Sequence, residues 1–177
     1  RVLFRSNSVR PDFDAIAITD FEPALEQVLK ENRQVVSDLI AKGADTWDEL
    51  AFPLEETDDQ LNRVWSVISH YNSVLNSDEL REIYKRVIAL LTDYNTEMGQ
   101  NVELYEAYQR LADREDFSSL SQEKQQAIKH ILRSFKLSGV ALLDSKKEEY
   151  SSLKKKLSSL SNVFSENVLD ATQAWTL

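Results

Sequence analysis

The side chains best able to do chemistry in this chain are His70 and His130, the acidic group Glu55, Glu56, Asp58 and Asp59, and the lysines Lys146, Lys147, Lys154, Lys155 and Lys156. Hydrolytic metal sites gather several ligands, and imidazole is the commonest nitrogen donor. Zinc peptidases of one large class carry HExxH, in which two histidines a helical turn apart hold the metal and the Glu acts as general base. Neither His70 nor His130 has a His, Asp or Glu three or four residues away, so each reads as a helix-surface or packing residue. With no cysteine in the chain, thiol catalysis, thiolate metal sites and disulfides are excluded. Paired-carboxylate catalysis requires two acids whose environments drive their pKa values apart. The acidic group has a simpler reading, as the solvated start of a helix whose dipole favours negative charge. The lysines alternate with Glu148, Glu149 and Ser158, a solvated helix surface rather than a phosphate or RNA site. Trp47, Trp65 and the six tyrosines could stack on a ligand, but most fall on buried-looking faces, where core packing is the default. There is no glycine-rich phosphate loop and no Gly-x-Ser-x-Gly elbow. No catalytic or metal-ligating residue is therefore assigned, substrate-binding residues stay unnamed, and catalysis is not expected of this chain alone.

The elements that carry these residues read as helices throughout. No segment shows sustained alternation bounded by turn residues. Thr19 and Glu22 have capping-box spacing, so a first helix is expected from near Thr19, with Leu25, Val28, Leu29, Val36, Leu39 and Ile40 on one face. Gly43 follows as a C-terminal glycine, and Gly99 and Gly139 punctuate two later runs. Thr46 and Glu49 repeat the capping-box spacing ahead of a short helix that should end before Pro53. Pro53 suits the first turn of the next helix, expected over about Leu54 to Leu75, with Leu61, Val64, Trp65, Ile68 and Leu75 as its stripe. Ser77 should cap a helix burying Leu80, Ile83, Tyr84, Val87, Leu90, Leu91, Tyr94 and Met98. Another is expected from about Val102 with Leu104, Tyr105, Tyr108 and Leu111. Ser121 opens one more, with Ala127, Ile128, Ile131, Leu132 and Phe135 spaced for burial. The longest helix should run from about Ser145 to Ala171. Its Tyr150, Leu153, Leu157, Leu160, Phe164, Asn167 and Ala171 form a heptad seam of roughly three repeats, expected to meet an antiparallel partner helix of the same domain. The expected fold is an all-α, multi-helix domain with antiparallel packing and one long C-terminal helix.

At 177 residues, with 42% hydrophobic and 29% charged content, the chain is one domain's worth. It is able to bury roughly 70% of the surface it exposes when unfolded. The formal charge of −9, from 30 acidic and 21 basic side chains, argues against nucleic acid and anionic membrane as partners. The longest apolar runs fall far short of the about 20 residues a bilayer span needs. RVLFRSNSVR lacks the apolar core of a signal peptide, and a cytoplasmic location is expected. Position 1 is Arg and the chain ends in Ala174-Trp175-Thr176-Leu177, so a piece of a longer protein is expected.

Several segments also carry a resemblance. PDFDAI at Pro11 to Ile16 and PALEQVL at Pro23 to Leu29 come first, then TWDEL at Thr46 to Leu50. PLEETDDQLNRVWSVISHYNSV follows from Pro53 to Val74, then NSDELREIY at Asn76 to Tyr84 and LLTDYNTEMGQNVELYEAY at Leu90 to Tyr108. FKLSG at Phe135 to Gly139 and NVLDAT at Asn167 to Thr172 complete an ordered set. Together they resemble the amino-terminal region of bacterial members of the thimet-oligopeptidase (M3) family of zinc peptidases. The resemblance implies a helical metallopeptidase whose halves enclose a deep channel that admits short peptides and excludes folded proteins. It places zinc on an HExxH helix with a further Glu ligand in the carboxy-terminal half, and it makes the amino-terminal helices part of the channel wall. None of those ligands, nor the catalytic Glu, has a counterpart in this chain. Residues 1–10 lie outside the match and look like a foreign or misassembled leader. Residues 11–177 would then be the helical amino-terminal domain of an oligopeptidase, cut before the catalytic domain. Its partners would be the catalytic half of the same parent chain and, in the intact enzyme, short peptides.

The competing reading is a self-standing helical interaction module that binds a partner helix through the Tyr150 to Ala171 seam. If the chain is instead part of a peptidase, apolar surface shaped for the missing half should be exposed near Trp175 and Leu177 and along the last helix.

Overall fold

The computed structural model describes residues 11–75 and 77–175. The expectations for residues 1–10, and those that fall on Asn76 and Leu177, lie outside the described residues. The fold is all-α: α1 (Phe21–Ala41), α2 (Phe52–Val74), α3 (Asp78–Gly99), α4 (Val102–Ala112), α5 (Gln122–Leu137) and α6 (Asp144–Ala174), with no strand among the described residues.

The caps account for most of the boundaries. Ser77 Oγ accepts from the Leu80 N–H at 3.2 Å, and Ser121 Oγ accepts from the Lys124 N–H at 3.4 Å. Asn101 Oδ1 does the same for Leu104 at 2.9 Å. Each satisfies a backbone donor that the first turn leaves free. At the C-terminal ends of α1 and α5, Gly43 and Gly139 take φ of +68° and +82°. In each case the next amide reaches back to the helix: Ala44 N–H to the Leu39 carbonyl and Val140 N–H to the Phe135 carbonyl, both at 3.1 Å. This Schellman closure needs a left-handed residue, which glycine adopts without a Cβ clash.

Three boundary expectations are corrected. Thr19 caps nothing: it lies inside a 3₁₀ turn, Ile18–Asp20, that leads into α1. The N-cap of α1 is Asp20, one residue later than expected, and its N3 residue is Pro23, which has no N–H for Asp20 to bind. Instead Asp20 Oδ2 accepts from the Ala17 N–H at 3.0 Å. Thr46 does cap, accepting from the Glu49 N–H at 3.2 Å, but the helix it opens does not stop before Pro53. A π-helical stretch, Trp47–Ala51, runs straight into α2. Pro53 sits near the start of α2, where losing a donor costs little. Leu75, expected on the α2 stripe, has left the helix in an extended conformation and is exposed.

Helices α1, α2 and α3 pack around one apolar cluster centred on Phe21, Leu25, Leu29, Ile68, Leu80 and Val87. Phe21 meets Tyr71 edge to face at 5.2 Å, and Trp65 stacks on Tyr84 at 5.7 Å. The second cluster joins the end of α1 and the start of α2 to α4 and α5 through Val36, Leu50, Leu54, Leu104, Leu111 and Ile128. Met98 touches both clusters. Asn32 falls on the α1 stripe between Leu29 and Val36, where burial without a partner would be costly. Its Nδ2 donates to the Thr57 carbonyl at 3.1 Å, tying α1 to α2. Arg33 of α1 clamps Glu97 of α3 with bonds of 2.7–3.0 Å.

Helix α6 crosses α3 antiparallel: Arg81 pairs with Asp170, and Asp93 pairs with Lys155 farther along α3 and nearer the start of α6. The face it uses is not the expected one. Its single buried residue is Asn162, flanked by half-buried Ser151, Ser158, Glu166 and Leu169. Ser158 Oγ lies 2.9 Å from Thr92 Oγ1 in a hydrogen bond across the interface. Short side chains let the two backbones approach, and polar pairs satisfy the contact. The heptad seam expected to meet a partner helix instead faces away.

Candidate functional site

Two features of this fold could do more than hold it together. The first is a cleft of about 370 Å³ between α1, the start of α2, the end of α3, α4 and α5. Its floor is apolar, formed by Val36, Leu54, Met98, Leu104, Ile131 and Phe135. Glu55 and Asp58, one helical turn apart on α2, line it with Tyr94, Tyr108 and His130. No ion pair or hydrogen bond joins either carboxylate to a described residue. Both side chains are exposed along part of their length while lining the cleft. Burial, with Glu55's charge adding to it, raises the Asp58 carboxyl above the ordinary carboxylate range. Tyr108 is only 4% exposed. Burial first, then the charges of Asp58 and Glu55, push its phenol far up, holding it neutral. Its hydroxyl bonds to no described residue. Yet no fully buried side-chain oxygen or nitrogen lacks a partner among the described residues, so the hydroxyl opens into the cleft. Tyr94 is raised by burial too, with Asn32 hydrogen-bonding it in opposition and the Arg33 guanidinium 5.2 Å from its ring centre.

The second feature is the bare side of α6. Leu153, Leu157, Leu160, Phe164 and Val168 are all exposed, Phe164 by 69%, and Trp175 continues the apolar surface. A contiguous apolar face of this kind marks an interaction surface. Asn167 and Ala171 are exposed as well. The antiparallel partner helix expected within the domain is present, but the seam is not the face that meets it. α6 presents its serine-rich stripe to α3 and leaves the seam open.

The remaining sequence candidates scatter. His70 packs against the Phe13 ring at 5.4 Å, on the outer side of α2, while His130 lines the cleft on α5. The acidic group divides. Glu55 and Asp58 line the cleft, while Asp59 pairs with Arg63 at 2.7 Å. All four acids are exposed, as expected of a solvated helix start. Lys146 pairs with Glu149 and Lys155 with Asp93, and Lys154 lies over the Tyr150 ring at 5.9 Å. Trp47 carries Lys124 over its ring at 4.9 Å. The cleft itself escaped sequence reasoning, since Tyr94 and Tyr108 sit at core spacing. The one available signal was Glu55 and Asp58 sharing a helix face.

A zinc site needs several convergent donors. Among the described residues no group of three or more His, Cys, Asp or Glu is placed to hold a metal. The described residues do not fit zinc. No helix of the described residues is long and apolar enough to cross a membrane.

Comparison with known proteins gives these helices a family. A family model described as the N-terminal domain of neurolysin/thimet oligopeptidase matches residues 25–147. Oligopeptidase A of Escherichia coli K12 is 42% identical over 167 residues, covering 94% of this chain and 25% of the relative. Oligopeptidase A of Haemophilus influenzae is 41% identical over 165 residues, covering 93% and 24%. A probable cytosolic oligopeptidase A of Arabidopsis thaliana is 32% identical over 163 residues, covering 92% and 23%. The chain spans about a quarter of the length of the curated relatives it matches. The ordered segments, the all-α fold and these matches agree: the chain belongs to the neurolysin/thimet oligopeptidase family, within its N-terminal domain.

Proposed function

We propose that residues 11–177 are the amino-terminal helical domain of a cytoplasmic, zinc-dependent oligopeptidase that hydrolyses short peptides. In this reading the catalytic half of the parent chain supplies the metal, its ligands and the general base. The helices described above contribute part of the wall that limits which peptides reach it. The observation that carries the reading is identity of 41–42% to bacterial oligopeptidases A along nearly the whole chain. The bare α6 face supports it, as a surface suited to cover by the rest of the parent.

The same face favours a second reading, in which the chain is a helical module that binds a separate partner through α6. The two readings part at the gene. The first expects the reading frame to continue past the Leu177 codon into HExxH. It also expects the full product to cleave short peptides, to leave folded proteins intact, and to lose activity to a chelator. A stop codon at that point, or a downstream frame without HExxH, would overturn it in favour of the module.

A further inference from the structure

We propose that the cleft between α2 and α5 is a binding site for a primary ammonium group carried on an apolar body. Three observations converge on this chemistry. First, the acids are uncompensated: the lining holds Glu55 and Asp58 but no lysine or arginine, and neither acid is ion-paired within the described residues. Second, the buried Tyr108 presents a hydroxyl with no hydrogen-bond partner to the same space. An ammonium has three N–H donors and no acceptor. Two carboxylates and a phenol oxygen are a matching set of acceptors, and the two ionic ones form the stronger, charge-assisted bonds. Third, the floor is apolar, through Leu54, Met98, Leu104 and Phe135. A hydrated inorganic cation would leave that floor uncovered and would find no third carboxylate or imidazole placed to join it.

The volume of about 370 Å³ lies in the range of small-molecule sites, enough for an aromatic or branched aliphatic group with its amine. Two sources share this chemistry: free arylalkylamines and the amino terminus of a peptide whose first side chain is apolar. The assignment does not rest on the peptidase reading, and its test uses no hydrolysis.

The chain is titrated, with amide-resolved NMR as the readout, using phenethylamine, Phe-Gly-amide and N-acetyl-Phe-Gly-amide. Saturable shifts at cleft residues are expected with the free amines and not with the acetylated peptide, whose size and apolar ring are retained but whose charge is gone. Phenethylamine binding alone identifies a site for free amines, and tighter binding of Phe-Gly-amide identifies one for peptide termini. Asp58→Asn should weaken binding by roughly tenfold, the loss of one charge-assisted hydrogen bond. Tyr108→Phe keeps the ring and should weaken it by a few-fold. Far-ultraviolet circular dichroism establishes that each variant is folded, and Glu55→Gln replaces any that is not. Three results would overturn the proposal: no saturable shift up to about 10 mM with either amine, equal binding of the acetylated peptide, or shifts that map to α6 instead of the cleft.

Discussion

The bare α6 seam and the interior of α5 should respond very differently to the same kind of truncation. Leu157 is 60% exposed and Ile128 is 0% exposed. Full burial of a leucine side chain is worth about 1.5–3 kcal/mol. Folding hides only about two-fifths of Leu157, so no more than about 1 kcal/mol is at stake at that position. Alanine's better helix propensity returns a few tenths of that. Leu157→Ala should therefore cost about 0–1 kcal/mol. Ile128 belongs to the cluster with Leu104, Tyr108 and Phe135, and Ile128→Ala removes atoms from a packed interior, at about 2–5 kcal/mol. Urea unfolding followed by circular dichroism at the helical band measures both, with an unchanged slope showing that the two variants unfold the same way. A cost above about 2 kcal/mol for Leu157→Ala would mean that the seam is packed in the isolated chain, and the open α6 face would be refuted.

Other expectations follow from single contacts. Asp58 has its carboxyl raised by burial and by Glu55. An acid whose folded pKa exceeds its unfolded one costs stability above the folded value, and that cost vanishes below the unfolded value of about 3.9. Asp58→Asn should accordingly stabilise the chain at neutral pH and be without effect in strong acid, as urea midpoints at the two pH values will show. A destabilised variant at neutral pH would contradict that sign. Asp170 is the reverse case, lowered chiefly by its hydrogen bond from Arg81. Its contribution is present above the unfolded carboxylate value and is lost as pH falls through the lower folded one. Asp170→Asn should speed amide exchange in the last turns of α6 at neutral pH, and a rate equal to wild type would show that the pair does not hold that end. Asn32→Ala removes the bond that ties α1 to the Thr57 carbonyl and should cost about 1–3 kcal/mol. A change under about 0.5 kcal/mol in chemical denaturation would show that the buried amide is not needed.

Local chemistry was legible in the sequence where it decides structure by itself. Ser77 and Ser121 cap where their spacing says, because a hydroxyl beside a free amide needs nothing from elsewhere. Gly43 and Gly139 close their helices for a similarly local reason. Apolar spacing placed Leu25, Leu29, Ile68, Leu80, Val87 and Ile128 correctly in the core. Pro53 misled: it is the second residue of α2, and the π-helical stretch Trp47–Ala51 passes directly into that helix instead of ending before it. The seam misled more deeply. Heptad spacing establishes that Leu153, Leu157, Leu160 and Phe164 share a side of α6, but not that anything meets that side. Which face of α6 docks was decided by Asn162, Ser158 and ion pairs to α3 that are 62 to 89 residues away in sequence, from Asp93 to Lys155 and from Arg81 to Asp170. The cleft was illegible for the same reason: it exists only where five helices converge, and Tyr108 reads as core until its hydroxyl is found without a partner.

The most direct test of the proposed place of this chain in a larger peptidase is oxidative footprinting of α6, comparing the isolated chain with the full product of its gene. Strong labelling of Leu157, Phe164 and Trp175 in the isolated chain, and marked protection of all three in the full product with Phe52 on α2 unchanged, is the result expected. Equal labelling of the three residues in both would show that the α6 face is not covered by the rest of the protein, and would contradict it.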